Sequence, residues 1–173
     1  HAAVAGCVLA LAMLACAAPA LAQDVARIEP IAEKGYARLI LTFAKPTKVK
    51  VRATPGVLVV AFPEAVKLDV GKVPVELPNY VGAARTDPDG KGARFALAAA
   101  YNVNTMEAAE KVVIDLLPTN WKGLPPGLPQ DIIDELAARA QDTARQQAEI
   151  DRAARIAAAQ PVDVRLGRLP TFT

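Results

Sequence analysis

The stretch from residue 36 to residue 63 constrains the fold more than any other part of this sequence, because its pattern predicts three consecutive β-strands. Ala37–Phe43 and Lys48–Arg52 alternate apolar with polar residues, and Val57–Phe62 is an apolar run rich in β-branched residues. A period of two is typical of a strand with one buried face, and a short apolar run is typical of a strand buried on both faces. A Pro-Gly pair supplies the turn before the third strand, since Pro presets φ and Gly tolerates positive φ.

A similar pattern returns later in the chain, which indicates an internal duplication. Ala93–Leu97 repeats the arginine-led pattern of Ala37–Leu41, and Val112–Leu116 repeats the apolar run Leu58–Phe62. Each half then contains an arginine-led strand, a middle strand and an apolar strand. Duplication of a β unit predicts two similar small sheets packed face to face, which is an all-β sandwich. We place this sandwich at residues 23–118.

Residues 1–22 are predicted to be a secretory signal peptide. They are almost wholly apolar and end in a small-x-small cleavage motif, Ala20 to Ala22, before the polar Gln23. Cleavage there would place the chain in the periplasm, and only an uncleaved signal would hold it in the membrane. A membrane anchor is one alternative, although a span needs about 20 apolar residues. A lipoprotein is the other, and its lipidated residue would be Cys7 or Cys16.

The types of residue that the chain lacks exclude several classes of chemistry. Both cysteines and the single histidine lie within residues 1–22, and the chain has no serine. The remaining residues therefore offer no thiol, imidazole or seryl hydroxyl for nucleophilic catalysis, and no Cys or His for a zinc site. There is no glycine-rich phosphate-binding motif, and a net charge of +2 is too small to indicate nucleic acid as a partner. We expect no enzymatic activity, no cofactor and no metal in these residues.

The sequence changes character after the predicted sandwich. Residues 119–129 are rich in Pro and Gly and predict a linker, whose Trp121 would either cap the sandwich or lie exposed as a contact residue. Residues 130–160 are rich in Ala and charged residues, which predicts a long helix that serves as a solvated spacer or as one strand of a weak coiled coil. Residues 161–173 begin with alternation again, so we expect the start of a second β module in a longer protein.

The two-half pattern resembles the AMIN domain, a family of periplasmic, non-catalytic modules found in N-acetylmuramoyl-L-alanine amidases and in secretins. The resemblance covers about Val25–Pro118. The sequence departs from the family pattern at two places. Ala61 stands where the family tends to have Asp, although Asp115 keeps the Asp in the second half. The second departure is a long insertion, Glu64–Pro78. It implies a β-sandwich without activity of its own that holds a larger protein against peptidoglycan. The matching residues are Ile28, Gly35, Arg38–Leu41, Val49, Val51, Leu58–Pro63, Arg85, Arg94 and Val112–Pro118.

Basic and aromatic residues of the predicted strands form the candidate binding surface. Basic side chains in or beside the second predicted strand would attract the carboxylates of peptidoglycan stem peptides, at a few tenths to about 1 kcal/mol per exposed contact. Tyrosines such as Tyr36 would stack on sugar faces. The alternative is that lysines on an edge strand only guard against aggregation. The candidate binding residues are Lys45, Lys48, Lys50, Arg52, Tyr36, Arg38, Arg85 and Arg94.

Three functions follow from these observations. The first is a periplasmic cell-envelope targeting module that binds peptidoglycan. The second is a scaffold or assembly module of a secretin-like or repeat-containing envelope complex, which would bind envelope proteins through its sheet edges and self-associate weakly through its helix. The third is a fragment of an enzyme whose catalytic domain lies beyond Thr173.

Overall fold

The computed structural model describes residues 23–160, which form two four-stranded sheets, a two-stranded pair and two helices. The cleavage-site residues Ala20 and Ala22 and the predicted second β module at 161–173 lie outside the described residues. The elements in chain order are β1 (Asp24–Val25), β2 (Arg27–Glu33), β3 (Tyr36–Thr42), β4 (Lys50–Thr54), β5 (Val57–Ala61), β6 (Val66–Lys67), α1 (Val73–Glu76), β7 (Val81–Thr86), β8 (Gly92–Leu97), β9 (Tyr101–Ala108), β10 (Lys111–Pro118) and α2 (Gln130–Ala159).

Each four-stranded sheet combines one hairpin from each half of the chain. The first sheet has the order β2-β3-β10-β9 and the second has the order β4-β5-β8-β7. The first half of the chain supplies β2 to β5 and the second half supplies β7 to β10, so each half gives one hairpin to each sheet. The prediction of two small similar sheets followed by a long helix is confirmed, but the exchange of hairpins between them was not predicted.

The central strand pairs of the two sheets have the same register. Arg38 of β3 lies opposite Asp115 of β10, and Arg94 of β8 lies opposite Val59 of β5. The arginines are 56 residues apart (94 − 38), and so are their partners (115 − 59). The structural counterpart of Asp115 is therefore Val59, two residues away from the Ala61 that the sequence pattern aligned with it.

The inner faces of the two sheets share one apolar core. Period-two alternation directs every second residue of each strand toward it. The insertion between the halves closes one side of this core, because α1 packs between β2 and β7 with Val73 and the following Leu77 buried. Among the largest fully buried side chains are Leu39, Leu41, Leu58, Val60, Phe95, Ile114 and Leu116.

The outer face of the first sheet is covered by the linker and the start of α2. Leu128, Ile132 and Leu136 pack on it, over an apolar cluster that includes Ile40 and Val113. Ion pairs hold the helix in place: Lys111 Nζ lies 2.7 Å from Glu135 Oε2, and Arg139 Nη2 lies 2.6 Å from Glu110 Oε1. Beyond this attachment, residues 140–159 of the helix are exposed throughout. The linker is thus packed on the sandwich and sets where the helix begins.

Arg38 and Asp115 form a buried ion pair beneath the linker. Arg38 Nε donates to Asp115 Oδ1 at 2.6 Å and Nη2 donates to Oδ2 at 2.9 Å, while the two side chains are only 4% and 0% exposed. Nη2 also donates to the carbonyl oxygen of Gly127 in the linker at 2.9 Å. The bidentate bond to Asp115 raises the pKa of Arg38 above its ordinary value. This pair therefore joins the two halves of the chain and fastens the linker to both.

Removing the Asp115 carboxylate should destabilise the fold strongly, because it leaves the Arg38 guanidinium buried without a counter-charge. We expect Asp115→Ala to lower the free energy of unfolding by about 3–5 kcal/mol, and Arg38→Met with Asp115→Leu to recover most of it. Arg94→Ala is the matched control, since this corresponding arginine is exposed and its loss should change stability by less than about 0.5 kcal/mol. Urea unfolding followed by circular dichroism measures all three, and equal stability of Asp115→Ala and Arg94→Ala would contradict the assignment.

Candidate functional site

The outer face of the second sheet differs from that of the first because its side chains remain open to solvent. They come from β4, β5, β8 and β7, and each is exposed or half-buried. Four of them are cations and the other five are Ala or Val. We call the set the basic face: Lys50, Arg52, Val57, Val59, Ala61, Ala83, Arg85, Arg94 and Ala96.

Three arginines of the basic face form a row across the sheet. Arg52 lies opposite Val59, Val59 lies opposite Arg94, and Arg94 lies opposite Arg85. Lys50 is two residues before Arg52 on the same strand, so it points to the same side. Arg94 borders two shallow depressions, one shared with Arg52 and Lys50 and the other shared with Arg85.

The basic face carries far more positive than negative charge. Within residues 23–160, the one carboxylate that pairs with these four cations is Asp87, whose Oδ1 accepts from Arg94 Nε at 2.8 Å. This bond raises the pKa of Arg94 above its ordinary value. Arg85 and Arg94 lie directly opposite each other on neighbouring strands, which is an unfavourable arrangement for like charges. Such a local conflict is typical of a functional surface.

Lys45 and Lys48 lie outside the basic face and are engaged in ion pairs. Lys45 Nζ lies 3.0 Å from Glu64 Oε2 and 3.6 Å from Asp24 Oδ2, and the bond to Glu64 raises the pKa of Lys45. Lys48 Nζ lies 2.7 Å from Glu107 Oε2 of β9. The structure therefore separates these two lysines from Lys50 and Arg52, although the sequence places all four within eight residues.

Tyr36 and Arg38 belong to the covered outer face of the first sheet. The Tyr36 ring packs edge-on against Trp121 of the linker, with ring centroids 5.6 Å apart, and the Arg38 guanidinium lies 5.5 Å from the centroid of the Tyr36 ring. Burial raises the pKa of the Tyr36 hydroxyl. Arg38 is almost inaccessible to solvent, so both residues stabilise the attachment of the linker. Trp121 contributes to that attachment.

Four of the eight candidate residues thus come together on one surface, namely Lys50, Arg52, Arg85 and Arg94. The sequence patterns did not reveal the contribution of Asp87, which lies in the turn between β7 and β8 and accepts from Arg94. Its position seven residues before Arg94, across a hairpin turn, is a signal that would have indicated the contact. Comparison of the chain with protein-family models, with curated proteins and with solved structures found no match.

The part of the chain that the structure describes contains neither a cluster of metal-ligating side chains nor a membrane-spanning helix. There, no three His, Cys, Asp or Glu side chains are grouped so that they would hold a metal ion. No helix between residues 23 and 160 combines the length and apolar character needed to cross a bilayer.

Replacing Arg85 should stabilise the fold, because it removes the repulsion between Arg85 and Arg94. We expect Arg85→Thr to raise the free energy of unfolding by about 0.2–1 kcal/mol, the range for a cross-strand pair. Arg27→Thr is the control, since Arg27 is exposed on the edge strand of the first sheet and lies opposite Thr42. Urea unfolding compares the two variants, and a loss of stability in Arg85→Thr would show that the arginine row is not strained.

Proposed function

We propose that this chain is a non-catalytic binding module of the cell envelope, and that its basic face binds the carboxylates of peptidoglycan stem peptides. The observation that supports this most directly is the exposed row of Arg52, Arg94 and Arg85, which has a single acidic partner among residues 23–160. Guanidinium groups match carboxylates in a planar, two-pronged geometry. A flat array of them suits a repetitive anionic polymer better than one small molecule.

The resemblance to the AMIN domain supports the same proposal. A two-sheet sandwich with duplicated halves is the architecture that this resemblance implies, and the arginines that match its pattern include two in the row, Arg85 and Arg94. The predicted signal peptide would bring the module into the periplasm, where peptidoglycan is accessible. The residues after the predicted cleavage site contain neither Cys, His nor Ser, which suits a binding role.

Small apolar residues between the cations complete the surface. Val59 separates Arg52 from Arg94 within the row, and Ala83 lies opposite Ala96 in the neighbouring row. Small side chains keep the face flat, so that an extended polymer can approach several guanidinium groups together. Because the individual contacts are exposed, each should contribute only a few tenths to about 1 kcal/mol, and binding should weaken as salt increases.

Charge reversal on the basic face should weaken retention on insoluble peptidoglycan. We expect the chain from Gln23 to Thr173 to sediment with peptidoglycan at low salt, and Arg52→Glu with Arg94→Glu to reduce apparent affinity roughly fivefold or more, which corresponds to about 1 kcal/mol. The control is Lys34→Glu with Lys67→Glu, which changes net charge equally at exposed positions outside the face. No retention of the unmodified chain, or equal losses in both double variants, would reject the proposal.

A scaffold or assembly role is the second candidate, and the exposed part of α2 favours it. Ile150 and Ile156 lie beyond the attachment to the first sheet and are 61% and 55% exposed. Exposed isoleucines on a helix of 30 residues would allow helix pairing with an envelope protein. The helix projects from the covered sheet, so such pairing would leave the basic face accessible.

A further inference from the structure

Among the described residues 23–160, the two sheets have four edge strands, and three of them carry features that discourage pairing with another strand. β2 contains Pro30, β4 carries Lys50 and Arg52, and β7 has an irregular register after Val81 and packs against α1. Proline, lysine and bulges are the common ways in which proteins protect a sheet edge. The fourth edge strand, β9, contains no proline, lysine or bulge.

β9 is long, regular and nearly uncharged. Its eight residues pair with β10 in one uninterrupted register, and its sequence YNVNTMEA contains no Pro, Gly, Lys or Arg and a single carboxylate, Glu107. Thr105 in the middle of the strand is exposed. Within residues 23–160, β10 is the one strand hydrogen-bonded to β9, so its other side presents free backbone groups.

The pairing pattern identifies which backbone groups face this free edge. Phe43 N donates to the carbonyl oxygen of Glu110, and these two residues continue the β3–β10 register. Because hydrogen-bonded pairs alternate along an antiparallel ladder, the backbone N–H and C=O groups of even-numbered β10 residues point toward β3. The odd-numbered β10 residues then bond to β9 at positions 102, 104, 106 and 108. The free N–H and C=O groups of the edge therefore belong to Tyr101, Val103, Thr105 and Glu107.

We propose that β9 pairs antiparallel with β9 of a second copy of this chain, which joins two first sheets into one. The register that satisfies the free groups of both strands places Val103 opposite Thr105 and Tyr101 opposite Glu107, so Asn104 faces its own copy on the two-fold axis. The two Glu107 carboxylates then lie at opposite ends of the pair, and no like charges face each other. A strand of this composition is thus complementary to itself in a closed two-fold arrangement.

Sedimentation equilibrium of the chain from Gln23 to Thr173, at loading concentrations up to about 1 mM, tests the proposal because an interface this small is weak and transient. We expect a monomer–dimer equilibrium that Thr105→Pro abolishes, since proline removes an edge donor without breaking the β9–β10 ladder. Ala53→Pro is the matched control. By the same alternation, the N–H of Ala53 faces the free edge of β4, so this variant should dimerise normally. Ile150→Arg should also dimerise normally.

A cysteine cross-link tests the register independently of the proline variants. The chain after residue 22 contains no cysteine, so Asn104→Cys and Asn102→Cys each introduce a single thiol. Directly opposed residues of a non-hydrogen-bonded antiparallel pair have Cα atoms about 4.5 Å apart, which permits a disulfide. We expect Asn104→Cys to form a disulfide-linked dimer on mild oxidation and Asn102→Cys to remain largely monomeric.

Several results would overturn the proposal. These are a chain that stays monomeric at every concentration, a Thr105→Pro variant that dimerises like the unmodified chain, and a dimer that Ile150→Arg dissociates while Thr105→Pro does not. The last result would assign the contact to the helix. Equal cross-linking of both cysteine variants would reject the register.

Discussion

The antiparallel pairing of β3 with β10 and of β5 with β8 joins the two halves of the chain, and the rest of the sandwich depends on it. Neither half contains a complete sheet, because each contributes one hairpin to each layer. A hairpin alone is marginally stable in water. The core therefore forms when contacts distant in sequence are made, such as that between Arg38 and Asp115, 77 residues apart. We accordingly infer that the two halves fold as one cooperative unit.

One difference between the two halves explains why the outer face of the first sheet is covered and the outer face of the second sheet is exposed. At the same register, Arg38 meets Asp115 in the first sheet and Arg94 meets Val59 in the second. The carboxylate allows Arg38 to be buried under the linker, because a buried guanidinium needs a counter-charge and satisfied donors. Without a carboxylate opposite it, Arg94 stays in solvent beside Arg52 and Arg85. The same duplicated arginine thus fastens the linker on one side of the sandwich and forms part of a candidate binding surface on the other.

The edge strands of the two sheets also differ in their candidate roles. β4 lies at the border of the basic face, and its lysine and arginine side chains serve both as candidate contacts and as protection of an edge. β9 is the edge strand of the other sheet that lies next to β4. Lys48, just before β4, forms an ion pair with Glu107 of β9. Binding through the basic face and pairing through β9 use different surfaces. A dimer would present two basic faces to one polymer, which would increase the effective affinity of the protein for that polymer.

Alternation, turn residues and composition were sufficient to predict the long strands, the long helix and the duplication, because these features arise from local periodicity and backbone preference. Four of the eight candidate residues lie on one surface, but the sequence did not distinguish them from Arg38, whose burial depends on Asp115 and on Gly127 of a distant linker. The exchange of hairpins, the packing of the linker and the unprotected edge of β9 were decided by the tertiary structure. Each depends on which strands become neighbours, and long-range pairing leaves little trace in the pattern of any single segment.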